Sequence, residues 1–392
     1  MSWITLDDAI MFDCYFNKKL DIRLISGYKK IIFSNFFFYE EINDLLFKYY
    51  SNYDYICGGD YDDCGLFNQD VSNLPLTITH LTFGWDFNQD VSNLPNGLTH
   101  LIFGELFNKD VSNLPQTLIH LVFGYVFNQD VSNLPNGLTY LIFGGLFNKD
   151  VSNLPPFLTH LTFVHEFNQD VSNLPQSLTH LTFCNCFNQD VSNLPYGITN
   201  LTFGDQFNQD VSNLPPFLTH LTFGIKFNQD ISVLPPFLTH LIWSFEIEQD
   251  LSKLPQTLTH LTLRNELKQN HNIPPNIKYL ELHHDNQNII DSLPNSIIEL
   301  RLCNYFNSRM DNLPTSIKKI VFDKYCNYEN DLNCLPNFME ELQLNFDYDK
   351  RILNIPSNLK KLICHEDYAY IDDFAICEIQ TYNNEHSDFL IK

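Results

Sequence analysis

One feature constrains this 392-residue chain above all others: a 20-residue pattern that returns without slippage. Phe67-Asn68-Gln69-Asp70 recurs with small changes at 87, 107, 127, 147, 167, 187, 207 and 227, and as Ile247-Glu248-Gln249-Asp250. One unit runs from Ile78 to Pro95, with the apolar skeleton Ile78, Leu81, Phe83, Phe87, Val91 and Leu94. Leu81 and Phe83 alternate with His80 and Thr82, the period-two signature of a short strand with one buried face; a strand of about five residues is expected. Leu94-Pro95 suits an extended, polyproline-type return, because proline cannot sit in a central strand. A 20-residue unit cannot bury Phe83 and Phe87 alone, so successive units must stack with their strands parallel.

The expected fold is a repeat solenoid with a parallel β-sheet on one face, extended or irregular returns on the other, and little helix; the resemblance of this skeleton to leucine-rich repeats implies a leucine-rich-repeat-like horseshoe. Residues 1–66 read as an N-terminal cap with degenerate repeats and an irregular insertion over 44–66. Ten regular repeats occupy 67–266, degenerate repeats 267–364, and a C-terminal cap 365–392. The segment Leu24 to Phe37 matches Leu94 to Phe107 at the apolar positions, and Phe16-Asn17-Lys18-Lys19 resembles a repeat corner.

The skeleton Ile78-x-x-Leu81-x-Phe83 with Leu94-Pro95 resembles a short leucine-rich repeat. The Phe-Asn-x-x and Leu-Pro spelling, with Leu-Thr-His-Leu-Thr-Phe-Gly between, is similar more specifically to the FNIP repeats of amoebae and the giant viruses that infect them. It departs in two ways: Asn88 lies two positions later than the ladder Asn of an ordinary leucine-rich repeat, and the Ile-Pro of the name is mostly Leu-Pro. The resemblance implies a non-enzymatic protein-interaction scaffold. Some members carry an N-terminal F-box, which would make the repeats a substrate receptor of a ubiquitin ligase; residues 39–50 offer one helix where an F-box needs several. A structural component without a specific ligand is the other alternative.

Lys and Arg number 23 against 47 Asp and Glu, for a net charge of −24. Nucleic acid and anionic membranes are therefore unsuited as partners, since both select cationic surfaces. No stretch reads as a signal peptide or membrane span, so an intracellular, cytoplasmic location is expected, in the host cytoplasm if the source is viral. The ten cysteines lack paired spacing and read as reduced thiols. No nucleophile elbow, phosphate-binding loop or His-Glu-x-x-His pattern points to an enzyme, and no cofactor or metal is expected.

Positions that differ between units are free for function, and two regions stand out as contacts for an unidentified protein partner. The site after Phe83-Gly84 reads Trp85, Glu105, Tyr125, Gly145, His165, Asn185, Asp205, Ile225 and Phe245, so Trp85, Tyr125 and Phe245 are expected as exposed rim anchors. The outward strand position reads His80, His100, His120, Tyr140, His160, His180, Asn200, His220, His240 and His260, a row of imidazoles on the concave strand face. Asp70 to Asp250 form a second row, expected to accept hydrogen bonds at the corners as in Asx-turns rather than to bind calcium. Cys184-Asn185-Cys186, near His165 and His180, resembles metal ligands but reads as chance substitution.

Overall fold

The computed structural model describes residues 3–6, 8–12, 16, 18, 20, 22–33, 66–244, 250–264, 272–303, 305–382 and 390–391. They fall into two compact units, Met1–Gln209 and Asp210–Lys392.

The first unit opens with β1 (Trp3–Leu6) and β2 (Ala9–Phe12), a short helix α1 (Ile22–Ile25) and β3 (Lys30–Ile32). Then come β4 (His80–Thr82), β5 (His100–Ile102), β6 (His120–Val122), β7 (Tyr140–Ile142), β8 (His160–Thr162), β9 (His180–Thr182) and β10 (Asn200–Thr202). Pairing is parallel from β2 to β10, with His80 opposite His100 and Leu81 opposite Leu101, and so on coil after coil. β1 lies antiparallel on β2. The regular strands of this unit have three residues, and coil-to-coil bonds extend one residue further at each end: the Thr79 carbonyl accepts from Thr99 N–H at 2.8 Å and Phe83 N–H donates to the Ile102 carbonyl at 2.9 Å, before the corner is closed by Phe87 N–H donating to the Gly84 carbonyl at 3.3 Å.

The proline has a different task from the one expected. It opens a tight turn, its carbonyl accepting from Leu98 N–H at 3.1 Å in the coil of Pro95. That turn feeds the chain back into the next strand and places no N–H demand on the proline.

Two aromatic columns fill the interior. Phe83 and Phe87 stack at 3.6 Å within a coil, while Phe83–Phe103 and Phe87–Phe107 stand 5.7 and 6.1 Å apart between coils. Val91, Leu94 and Leu98 close the rest of each coil and are buried. At about 1.5–3 kcal/mol for each fully buried apolar side chain, this repeated interior is the main stabilising term.

The N-terminal coils obey the same rule with one change. β3 pairs directly with β4, Ile31 opposite Leu81, the register that the match of Leu24–Phe37 to Leu94–Phe107 implies for its described part. The ring stacked on Phe33 is Phe67, at 3.9 Å; Phe37, which the alignment with Phe107 put at this corner, lies outside the described residues. Phe16 stacks on Phe67 at 6.1 Å, as the corner reading of Phe16 requires. Residues 34–65, including the expected insertion and the helix considered for 39–50, lie outside the described residues.

The second unit comprises β11 (His220–Phe223), β12 (His240–Trp243), β13 (His260–Leu263), β14 (Tyr279–Leu282), α2 (Gln287–Asp291), β15 (Glu299–Leu302), β16 (Lys319–Phe322), β17 (Glu341–Gln343), β18 (Lys361–His365), β19 (Glu378–Tyr382) and β20 (Leu390–Ile391). β11 to β19 pair in parallel, and β20 turns antiparallel onto β19. The corner column continues with altered spelling through Phe306, Tyr328, Tyr348 and Tyr368, spaced 6.2 to 6.3 Å. Among the described residues no helix is long and apolar enough to cross a membrane.

Candidate interaction surface

The polar residues that repeat are consumed by the coil. Asn68 Oδ1 accepts from Asn88 N–H at 2.9 Å and Asn88 Oδ1 from Asn108 N–H at 3.0 Å, and the ladder continues to Asn208. Asp90 Oδ1 accepts from Ser92 N–H and its Oδ2 from the Ser92 hydroxyl, both at 2.9 Å, and each Asp from 70 to 250 does the same for its own turn. The Ser92 backbone and side-chain hydrogen bonds hold the Asp90 carboxyl below the usual range, against a small opposing effect of Asp110. The aspartate row is thus a set of local turn caps, as the corner reading expected.

The histidines of the strand face are only partly open. Most are half-buried, His180 and His220 being exposed, because each ring lies on its neighbour: His80–His100 at 4.1 Å, His160–His180 at 4.3 Å, His220–His240 at 4.0 Å and His240–His260 at 3.8 Å. Thr99 Oγ1 donates to the Thr79 carbonyl at 3.0 Å and so accepts from His100 Nδ1 at 2.9 Å, which assigns the neutral ring its Nδ1–H tautomer. The same pair of bonds recurs at His160, His180 and His240. Burial, with neighbouring imidazoles adding repulsion, lowers His80, His120 and His240 to about 4; burial also lowers His100, His160, His220 and His260. Beside this row, Val122, Ile142 and Val164 form an apolar cluster flanked by Ile102 and Tyr140.

The rim anchors differ from expectation. Trp85 and Tyr125 are half-buried, because the rim backbone is itself a ladder: Leu106 N–H donates to the Trp85 carbonyl and Leu146 N–H to the Tyr125 carbonyl, at 3.0 and 2.8 Å. The Tyr125 ring also covers Gly145 of the next coil, where a Cβ would lie 2.2 Å from it. Glu105 Oε2 accepts from Tyr125 N–H at 2.7 Å, and burial raises its carboxyl. Phe245 lies outside the described residues.

Two adjacent variable positions carry large exposed apolar side chains. The residues following each Leu-Pro place Leu76 (80% exposed), Phe157 (63%) and Tyr196 (63%) in the first unit, and Phe217 (50%) and Phe237 (54%) in the second. Phe217 and Phe237 stack at 6.0 Å. Comparing the units of this chain at those positions, as was done for the rim, would have found them.

Burial pushes the Cys184 thiol up to about 11 and raises Cys186 as well. Cys184 and Cys186 are not gathered with His165 and His180 into a ligand set. Among the described residues, the group of three metal-ligating side chains that does converge is Glu281, His283 and Cys303, their donor atoms within 4.8 Å of one another.

Coils of one short parallel strand and tight turns, stacked in register over an apolar interior, define a leucine-rich-repeat-type solenoid. The FNIP Repeat profile matches residues 67–106, 107–146, 147–186, 187–224, 210–246, 265–305 and 306–345. The chain belongs to the FNIP repeat family. Among solved structures it is similar to CroV588, from a giant virus and described as a novel circular LRR protein structure, at 31% identity and a TM-score of 0.66. That match covers 93% of this chain and 57% of CroV588, so the chain spans little more than half the length of that relative. The functional domain of InlJ from Listeria monocytogenes is 17% identical with a TM-score of 0.47, covering 86% of this chain and 73% of the other. No curated protein sequence matches the chain.

Proposed function

We propose that this protein is a non-enzymatic interaction scaffold whose partner is another protein. One observation carries the reading. Most side chains that repeat are buried, bonded to the next coil or bonded within their own turn, whereas large exposed apolar side chains sit at positions that vary from unit to unit. Exposed aromatics held on a rigid support are the usual anchors of a protein interface. The net charge of −24 disfavours a polyanionic partner.

The contacts proposed are the exposed side chains that follow Leu-Pro, with Trp85, Tyr125 and the histidine row as flanking positions. The test is quantitative capture from cell lysate by the immobilised full chain. It is compared with a Phe217→Ser/Phe237→Ser variant and a Trp85→Ala/Tyr125→Ala variant, each confirmed folded by circular dichroism. A saturable protein partner lost with the first variant supports the reading, and loss only with the second moves the anchors to the half-buried rim. Absence of any saturable partner overturns the scaffold.

A further inference from the structure

In most regular coils the residue after the strand's phenylalanine is glycine, and at Gly104 the reason is steric: a Cβ there would lie 1.8 Å from the Gly84 carbonyl oxygen. In the second unit the residues that follow β14, β15 and β16 are His283, Cys303 and Asp323. Leu282 pairs with Leu302 and Leu302 with Phe322, so those three residues follow one another in adjacent coils. Glu281, two residues before His283 and on the same side of the strand, joins the column. Its Oε1 lies 2.7 Å from His283 Nε2, and its Oε2 lies 3.8 Å from Arg301 Nε. Cys303 is buried at 5% exposure, and its donor atom lies within 4.8 Å of the other two.

The geometry points to a divalent transition-metal site formed by Glu281, His283 and Cys303, selective for zinc-like ions and bridging two successive coils. One carboxylate oxygen, one imidazole nitrogen and one thiolate sulfur form a mixed donor set that suits Zn²⁺ or Co²⁺ and disfavours Ca²⁺ and Mg²⁺, which take oxygen throughout. Three protein donors leave a fourth tetrahedral position to water. The metal replaces the proton now shared by Glu281 and His283. The two donors then open from 2.7 Å to about 3.3 Å, the separation set by bonds of about 2.0–2.1 Å at a tetrahedral angle. Arg301 orients the second Glu281 oxygen, in the manner of an outer-shell partner. The thiol loses its proton to solvent as it binds. The site fastens β14 to β15 where the Asn ladder and the Phe–Phe pairs of the first unit are no longer spelled.

Titration of the metal-free full chain with Co²⁺, read by thiolate-to-cobalt charge-transfer absorption, tests the site. One equivalent is expected to produce the band, and Zn²⁺ to displace it. Cys303→Ser removes the band, while Glu281→Gln weakens Co²⁺ binding by more than the about 10–100-fold typical of losing an outer-shell partner. Cys184→Ser/Cys186→Ser leaves both intact. A wild-type chain with no band, a band that survives Cys303→Ser, or one lost with Cys184→Ser/Cys186→Ser overturns the proposal. If Cys303→Ser fails to fold, melting temperature decides: Zn²⁺ raises it in the wild type and not in Glu281→Gln, and an equal rise in both overturns the site.

Discussion

At the scale of single residues, the same amino acid has opposite weight in different places of one coil. Asn108 Oδ1 accepts from Asn128 N–H at 3.0 Å and from Gln129 Nε2 at 2.9 Å. Asn108→Ala leaves that N–H without its acceptor and is expected to cost about 1–3 kcal/mol. Asn93 is exposed and makes one long contact, to Ser92 Oγ at 3.4 Å, so Asn93→Ala is expected to change stability by about 0.5 kcal/mol or less. Urea melts of the two variants check the pair, and equal losses would remove the ladder's role. Phe147 is fully buried between Phe127 and Phe167, each at 6.1 Å, and pairs with Phe143 at 3.8 Å. Phe147→Ala is expected to cost about 3–5 kcal/mol in the same measurement, through lost transfer energy and the cavity left behind.

At the scale of the element, a strand and its stacked histidines make stability depend on pH. The folded-state values of His80, His100, His120, His160, His220, His240 and His260 are lowered, so on acidification the unfolded chain binds protons first. Their contribution is fully present above about pH 6.5 and is lost as pH falls from there toward 4. The capped aspartates, lowered by their serines, lose theirs only at more acid pH, below the ordinary carboxylate value. The urea midpoint is therefore expected to drop between pH 7 and pH 4.5. Replacing His80, His120 and His240 with Asn, the residue that occupies this column at Asn200, should flatten that drop; an unchanged slope would refute the histidine origin. The strand, its partner and its inward face were legible because period two and period twenty coincide at Leu81 and Phe83. Its length was legible as the five residues, 79 to 83, that bond from coil to coil, of which the central three form the regular strand. The half-burial of Trp85 and Tyr125 was hidden, because repeat comparison reports which side chains vary and says nothing of a backbone ladder running beneath them. Glu281, His283 and Cys303 belong to coils whose spelling has decayed, so no repeated position pointed to them.

At the scale of the whole molecule, each regular coil in the first unit bonds only to its neighbours, and stability is close to a sum of equal increments. Deleting residues 107–126 joins Leu106 to Phe127 and restores the pattern. The variant is expected to fold, with a denaturant slope reduced by one coil's share of buried surface. Deleting residues 107–116 leaves half a coil and is expected to abolish cooperative melting; intact melting there would refute the stacked-coil interior. The likeness of the coils also has a kinetic side. A strand that docks one coil too far meets the same Leu, Phe and Asn as its proper neighbour, and the error costs only twenty looped-out residues. Correct assembly is therefore counted from the coil that breaks the pattern, where the stacked rings Phe33 and Phe67 are 34 residues apart in sequence while Phe83 and Phe87 are four apart. That coil acts as the origin of the register, and chains that begin stacking elsewhere must unzip before they can finish.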